Sequence, residues 1–280
     1  VFLMKVVTTL PELRAALAAL PNPIGFVPTM GYLHAGHLAL VAQAKAESAA
    51  VVVSIFVNPL QFGPNEDLSR YPRDLERDQA LLTDAQVELL WVPTPAVLYP
   101  AGFQTYVTVK HVSLPLEGSR RPGHFDGVAT VVTKLLNAVQ PQRAYFGQKD
   151  AQQVVVLRRL VTDLNMPVEM VVCPIQRASD GLALSSRNVY LNAAERQAAP
   201  VLYHALQAAQ QVAAAGETRA ETLRTFVRQV IAAEPLAQLE YVSLADRETL
   251  DELDELVAGQ AVLSLAARFT KTRLIDNVLL

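Results

Sequence analysis

The chain has 280 residues, 51% of them hydrophobic, which is enough apolar material for sizeable cores and excludes a peptide-sized scaffold or a mostly disordered chain. Its 24 Lys and Arg stand against 27 Asp and Glu, a formal net charge of -3, so no global positive field exists to gather nucleic acid, although local anion sites are compatible. The lone Cys173 excludes an internal disulfide or a paired-thiolate metal or redox site; with no secretory pattern in VFLMKVV and no run near about 18 apolar residues, a soluble cytoplasmic protein is expected.

Residues 3 to 9 read as a strand, after which Pro11 opens the helix-forming ELRAALAAL and PNP stops it. IGFVPT reads as a buried strand before the MGYLHAGH turn, and residues 37 to 49 as a helix leading into the β-branched AVVVSIFV, suited to a parallel sheet. NPLQFGPNEDLSRYPRD is broken by proline, glycine and polar groups and reads as a functional loop or lid. Helix character returns in RDLERDQALLTDAQV before the short ELLWVP strand. Residues 128 to 139 then read as helix, RAYFG as a strand and turn, DAQQVVVLRRLVTDL as helix and VEMVVCPI as strand. Repeated crossovers of this kind favour an α/β fold over a sandwich.

Beyond Ile175 the composition changes to Ala-rich helices near residues 193 to 215 and 218 to 234, followed by LEYVSLAD, AVLSLAARF and TRLIDNVLL as strands of a smaller α+β unit. The expected division is therefore residues 1 to 176 and residues 177 to 280. From Arg177 onward 10 basic residues face 13 acidic ones, and the earlier part balances 14 against 14, so neither part carries a strongly basic surface.

Three short patches carry chemistry. Gly31, His34, Gly36 and His37 lie between a strand and a helix, where small residues allow close backbone approach and helix amides receive an anion. The histidines suit a phosphate clamp; turn and capping roles, or a metal, are the alternatives, and HAGH lacks the third ligand of a zinc site. In FGQKD, Lys149 sets an ammonium at a strand-to-helix junction, with Asp150 readable equally as an N-cap and Gln153 offering an amide to a polar substrate or to solvent. SSRN places Ser185, Ser186 and the guanidinium fork of Arg187 together, fit for polyphosphate or for a solvated turn. No P-loop, dinucleotide fingerprint or activated serine is present, and Cys173 reads as a core residue.

Six segments in order, PTMGYLHAGH at 28 to 37, FVNPLQFGPNED at 56 to 67, RPGHFDGV at 121 to 128, YFGQKD at 145 to 150, DGLALSSRNVYL at 180 to 191 and TRLIDN at 272 to 277, make the chain closely resemble the pantoate–β-alanine ligase family. That resemblance implies a Rossmann-like nucleotidyltransferase domain, here residues 1 to 176, binding ATP and pantoate, and a smaller C-terminal α+β domain, here residues 177 to 280, contributing a phosphate-binding arm, usually in a homodimer. It implies ATP-dependent condensation of pantoate with β-alanine through pantoyl adenylate, giving pantothenate, AMP and pyrophosphate, with magnesium bound mainly through the ATP phosphates; no metal-ligating residue is assigned.

Residue by residue, the resemblance assigns His34 and His37 to the ATP phosphates, with Gly36 allowing close approach and Lys149 joining the phosphate set. Gly147 and Asp150 approach the ribose, Leu184 lines the adenine side, and Ser185, Ser186 and Arg187 form the second phosphate arm. Pro28, Thr29 and Met30 form the pantoate pocket, Met30 also reaching the nucleotide, with Asn58 shaping that end and Gln61 and Gln153 holding pantoate. Gly63 to Arg77 resembles a mobile wall, and Arg121 and His124 are assigned a structural role near the binding and dimer architecture; no general base is assigned. Gln148 stands where the family often has Glu, Leu184 where it often has Met, Ala178 where an acidic residue is frequent, and Thr270 where glycine often precedes TRLIDN, which puts that turn in question. A related nucleotidyltransferase acting on another small acid, or a nucleotide sensor without transfer activity, would share parts of this pattern.

Overall fold

The computed structural model describes residues 3–64 and 66–280, so Asn65 of the FGPNED segment lies outside the described residues, as do Val1 and Phe2. Two compact units emerge. The first runs to Gly147 and takes in Val156–Cys173; the second comprises Gln148–Val155 and Pro174–Leu280.

The first unit is a six-stranded sheet with every neighbouring pair parallel, in the order β1-β4-β3-β2-β5-β6. Its strands are β1 (Lys5–Val7), β2 (Ile24–Thr29), β3 (Ala50–Ile55), β4 (Leu89–Trp91), β5 (Arg143–Gly147) and β6 (Glu169–Cys173). The crossovers carry α1 (Leu10–Leu17), α2 (Ala35–Glu47), α3 (Leu75–Asp84), the short α4 (Pro95–Leu98) and α5 (Glu117–Arg120), α6 (His124–Val139) and α7 (Ala151–Asp163), and the division between units falls within α7. Every residue of β3 is buried, which is why AVVVSI is continuously apolar or small rather than alternating. Val27, Val53, Leu90 and Tyr145 contribute to one core cluster together with Leu40 and Val41 of α2 and the buried Cys173.

Strands β3 and β4 lie to one side of β2 and β5 and β6 to the other, so the chain reverses direction across the sheet between β2 and β5. In open parallel sheets such a reversal leaves a crevice outside the carboxyl ends of the two strands, where ligands bind. The segments leaving those ends begin with Met30 after β2 and Gln148 after β5.

Two helices start earlier than their apolar spacing suggests. α2 begins at Ala35 because His34 acts as its N-cap, and α6 begins at His124, directly after Gly123 in the left-handed region. The loop after β3 holds a 3-10 turn, Pro59–Gln61, and regular helix resumes only at Leu75, where Asp74 caps α3.

In the second unit α8 (Ala193–Ala198), α9 (Val201–Ala214) and α10 (Ala220–Ala232) accompany an antiparallel sheet of β7 (Ala237–Asp246), β8 (Ala261–Phe269) and β9 (Thr272–Leu279), in that order. The tract expected as helix from 193 to 215 is interrupted at Pro200, whose missing N–H cannot continue the ladder. Leu202, Leu206, Leu223, Val227 and Ile231 meet Leu263, Leu265 and Phe269 in one apolar cluster. The β8–β9 turn puts Thr270 at φ 48, the left-handed conformation that a glycine there would adopt without strain. Its hydroxyl is bonded to Glu195, a contact that, with the Asn192 amide, holds that carboxyl below its ordinary range.

Candidate active site

In the first unit the residues singled out after β2 are drawn together by their own backbone. Gly31 (φ 79) and Tyr32 (φ 51) take consecutive left-handed conformations, and a Cβ at Gly31 would sit 2.9 Å from Ile55. The turn is held from below by Asp78 of α3, whose carboxylate accepts from the amides of Tyr32 and Leu33, both at 2.7 Å. Burial raises the Asp78 carboxyl, while the Leu33 and Tyr32 amides and the Arg77 charge pull against it.

His34 is not helical. It sits extended at φ -137 and caps α2, its Nδ1 accepting from Gly36 N at 3.1 Å, while its own amide donates to Nδ1 of His37 at 3.3 Å. This reciprocal capping box, made here by two imidazoles, brings the ring centroids to 4.1 Å. Because both Nδ1 atoms accept from backbone amides, the neutral tautomer of each ring carries its proton on Nε2. Two such N–H groups at a helix N-terminus match the oxygens of a phosphate.

Beside this turn stands a layer of neutral groups. Thr29 donates through its hydroxyl to the Ser54 carbonyl at 2.8 Å and accepts from Gly31 N at 3.2 Å. The Gln61 amide points at the Met30 sulfur, 2.9 Å away, and its oxygen accepts from Asn58 at 3.1 Å. Asn58 is buried and has four partners, donating also to the Gly127 carbonyl at 3.0 Å and accepting from Leu60 N and the Tyr99 hydroxyl at 3.2 and 2.8 Å. Pro28 stands one residue before Thr29 on β2, so the expected pantoate residues Pro28, Thr29, Met30, Asn58 and Gln61 gather in this unit. Gly147 closes β5 paired with Cys173, and nothing lies within 4 Å of where its Cβ would be.

The backbone carbonyl of Gln61 has its own support, built from residues that the sequence marks only as structural. The Arg121 guanidinium donates to His124 Nε2 at 3.0 Å, so the His124 proton is on Nδ1, which donates to the Gln61 carbonyl at 2.8 Å. Arg121 also forks onto both oxygens of Glu66, at 2.7 Å each. Burial, followed by the Arg121 charge facing Nε2, depresses His124 to about 4. Burial alone would raise the Glu66 carboxyl, but Arg121 overcomes it and leaves Glu66 below its ordinary value. Gly127 on α6 completes the fit: a Cβ there would fall 2.3 Å from the Leu60 carbonyl and 2.6 Å from Gln61 N.

The second unit holds Lys149, Asp150, Gln153, Leu184, Ser185, Ser186 and Arg187. Asp150 belongs to a 3-10 turn, Gln148–Asp150, that runs into α7, and its carboxylate lies 3.7 Å from Lys149 Nζ. Gln153 is half-buried in the first turn of α7. Ser185 caps a second 3-10 turn, Ser186–Tyr190, by accepting from Arg187 N at 3.2 Å, and Ser186 is buried. A tight hairpin delivers this turn, with Ala178 N donating to Leu182 O and Leu184 N to Gln176 O.

A family model described as pantoate-beta-alanine ligase matches residues 5–279, nearly the whole chain. The chain belongs to the pantoate-beta-alanine ligase family. It is 60% identical to the pantothenate synthetase of Herpetosiphon aurantiacus over 277 residues, covering 99% of this chain and 100% of that protein, and 61% identical to that of Chloroflexus aurantiacus over 277 residues, covering 99% and 98%. The solved pantothenate synthetase of Thermus thermophilus is 53% identical with a TM-score of 0.94, covering 98% of this chain and 99% of that one. The pantoate-beta-alanine ligase of Francisella tularensis, solved with beta-gamma ATP and beta-alanine, is 35% identical with a TM-score of 0.81, covering 99% of this chain and 98% of that one. As a member of the family this chain is an AMP-forming ligase that joins pantoate to β-alanine through an adenylate intermediate.

Two expectations follow from the Gln61 support. Gly127→Ala forces the 59–61 turn to move, costing about 1–3 kcal/mol of stability and raising the pantoate KM more than the ATP KM. Urea midpoints and steady-state kinetics read both, and an unchanged pantoate KM would remove Gly127 from the site's construction.

The second concerns pH. His124 is neutral in the folded chain down to about 4 but takes a proton below about 6.5 when unfolded, so its contribution is present above that value and is lost as pH falls through this window. By pH 5 the loss is about 2 kcal/mol relative to neutral pH, and His124→Asn, which keeps a donor near Nδ1 without the titration, flattens the stability profile by a similar amount. Parallel urea titrations of the two proteins between pH 7 and 5 test this; coincident slopes would rule it out.

Proposed function

We propose that this ligase handles ATP with His34, Gly36, His37, Lys149, Ser185, Ser186 and Arg187 and pantoate with Pro28, Thr29, Met30, Asn58, Gln61 and Gln153. The observation that carries the reading is the His34–His37 capping box, which presets two neutral rings as Nε2–H donors at the start of α2. Met30 also borders the nucleotide, Gly147 and Asp150 approach the ribose, and Leu184 lines the adenine side. Residues 1 to 176 serve as the ATP and pantoate domain and residues 177 to 280 as the smaller domain supplying the serine–arginine arm.

In the first half-reaction a pantoate carboxylate oxygen attacks the α-phosphorus, the bond to the bridging oxygen breaks and pyrophosphate leaves. The imidazole donors, Lys149 and Arg187 meet the negative charge that builds on the phosphate oxygens, and no protein nucleophile is required. In the second, the free amine of β-alanine attacks the acyl carbonyl, the acyl–phosphate bond breaks, AMP leaves and the amine gives up a proton. Gln61 is suited to orient pantoate because its carbonyl and side chain are both held.

Magnesium fits best as a counter-ion carried on the ATP phosphates. Among the described residues no group of three or more His, Cys, Asp or Glu is arranged to hold a metal, and the Asp78 carboxylate is committed to two amides. When bound it neutralises phosphate charge. A homodimer is the expected assembly and the cytoplasm the expected compartment; among the described residues no helix is long and apolar enough to cross a membrane.

The direct test is an omission series with ATP, magnesium, pantoate and β-alanine. Pyrophosphate release should need only ATP, magnesium and pantoate, and pantothenate should need all four; AMP formed without pantoate would defeat the assignment. Lys149→Ala and His37→Ala should each lower adenylate formation by about 100-fold or more in chains that still fold by circular dichroism, and unchanged turnover would reject those roles. Gln153→Ala should weaken pantoate use more than ATP binding, since its amide is assigned to the acid; equal losses in the two affinities would contradict that division.

A further inference from the structure

The TRLIDN segment forms most of β9, and two of its residues are buried although polar: Asp276 and Asn277, at 3% and 2% exposure. Adjacent strand residues face opposite ways. Asp276 takes a bidentate fork from Arg177, at 2.6 and 2.9 Å, and Arg177 donates as well to the carbonyls of Gly181 and Asn277, at 3.1 and 3.4 Å. Arg177 therefore ties the base of the hairpin that ends in Ser185 to β9, and it also pairs across that hairpin with Ala183.

Asn277 faces the turn that carries Lys149. Its amide nitrogen donates to the carbonyls of Gln148 and Lys149, at 3.0 and 2.9 Å, and its oxygen accepts from the Gln148 side chain at 3.0 Å. Both amide hydrogens and the carbonyl oxygen are thus spent on two consecutive residues, a grip on backbone atoms that no apolar or shorter side chain could reproduce. Gln148, the residue standing where the family often has Glu, is part of this grip.

We propose that Asn277 is a positioning residue for adenylate formation: through the Gln148 and Lys149 carbonyls it fixes where the Lys149 ammonium stands relative to the serine–arginine arm, which the neighbouring Asp276–Arg177 pair holds on the same strand. The inference rests on the proposed phosphate role of Lys149. It assigns a function to a segment that makes no contact with substrate in that reading.

The test measures pantoate-dependent exchange of labelled pyrophosphate into ATP. Asn277→Ala should lower the exchange kcat by about 10- to 100-fold, the scale of a misplaced catalytic group, with the pantoate KM held within about 2-fold. Asn277→Asp, which turns a carboxylate onto two carbonyl oxygens, should lose at least as much, and Gln148→Ala, which removes one bond of three, should lose less. A purely structural role would not predict the decisive readout: in a Lys149→Ala background Asn277→Ala should cost less than about 3-fold more, because its effect runs through the missing ammonium.

Full additivity in that cycle, or an Asn277→Ala kcat within about 2-fold of wild type, overturns the inference. Should Asn277→Ala fail to fold, Gln148→Ala and Asn277→Ser carry the same cycle, and a kcat indifferent to both overturns it equally. Absence of pantoate-dependent exchange in the wild-type chain overturns the parent reading and this inference together, whereas robust wild-type exchange with indifferent variants overturns this inference alone.

Discussion

The Asp78 carboxylate, buried on α3, is the constraint from which the 31–37 turn of the first unit is built. It accepts the Tyr32 and Leu33 amides while Gly31 and Tyr32 turn through left-handed conformations. Without that carboxylate two amides in a turn already short of favourable dihedrals would face one another without an acceptor, at about 1–3 kcal/mol each. The turn sets the direction from which the chain enters α2, and the entry direction makes His34 a cap rather than a first helical residue. From the cap follow the His34–His37 hydrogen bonds, the neutral tautomers and the placement of two N–H donors. A carboxylate that touches neither histidine thus determines which nitrogen of each ring carries the proton.

The surroundings of Gln61, proposed to hold the acid, are constructed differently. Around Gln61 the groups that fix position are amides, a thioether, a hydroxyl and backbone carbonyls, and the charged residues nearby, Arg121 and Glu66, neutralise one another at 2.7 Å. Specificity from such a wall comes from hydrogen bonds that an acid lacking the matching hydroxyl would leave unmade, an arrangement that discriminates more strongly than an apolar pocket of the same size. In the proposed reading the charge for the chemistry is supplied instead by Lys149 and Arg187, which belong to the second unit. On that proposal, separating recognition by neutral groups from stabilisation by cations lets pantoate bind without a lysine competing for its carboxylate.

Much of this was legible in the sequence. β-Branched runs announced the parallel strands, and IGFVPT and AVLSLAARF match observed strands residue for residue, because burial on both faces of a sheet leaves a dense apolar signature, whereas RAYFG, expected to end in a turn, is strand throughout. The polar motifs between them located the histidines, Lys149 and the serine–arginine turn. Asp78 was not legible: one of three acidic residues in LERDQALLTD, it reads as helix surface, and only the tertiary meeting of α3 with the 31–33 turn reveals its burial. Arg121, His124 and Asn277 lay inside segments already noted for their resemblance, yet their partners are 60, 63 and 129 residues away in the chain, beyond any local pattern. Thr270 shows the converse. Its departure from glycine pointed to an unusual turn, and the left-handed φ of 48 is what that departure meant.

The Arg177–Asp276 pair, with a half-buried guanidinium on a buried carboxylate, is a poor choice if stability were the only requirement. Removing two charges from water offsets most of their mutual attraction, and well-packed apolar residues of the same volume are often as stable or more so. What an apolar pair could not supply is registry. The guanidinium is planar and forks onto one carboxylate while its remaining donors reach Gly181 O and Asn277 O, so the hairpin has one position on β9 rather than several of similar energy. The ring of Tyr203 lies 3.8 Å from the guanidinium carbon and closes the remaining face. A Cβ at Gly181 would meet the same ring at 2.5 Å, so the turn and the aromatic are fitted to each other as well. If the loop presents two hydroxyls and an arginine to a polyphosphate as proposed, it gains more from a single position than from a deeper energy well, because misplacement by an ångström erases the advantage of preset donors.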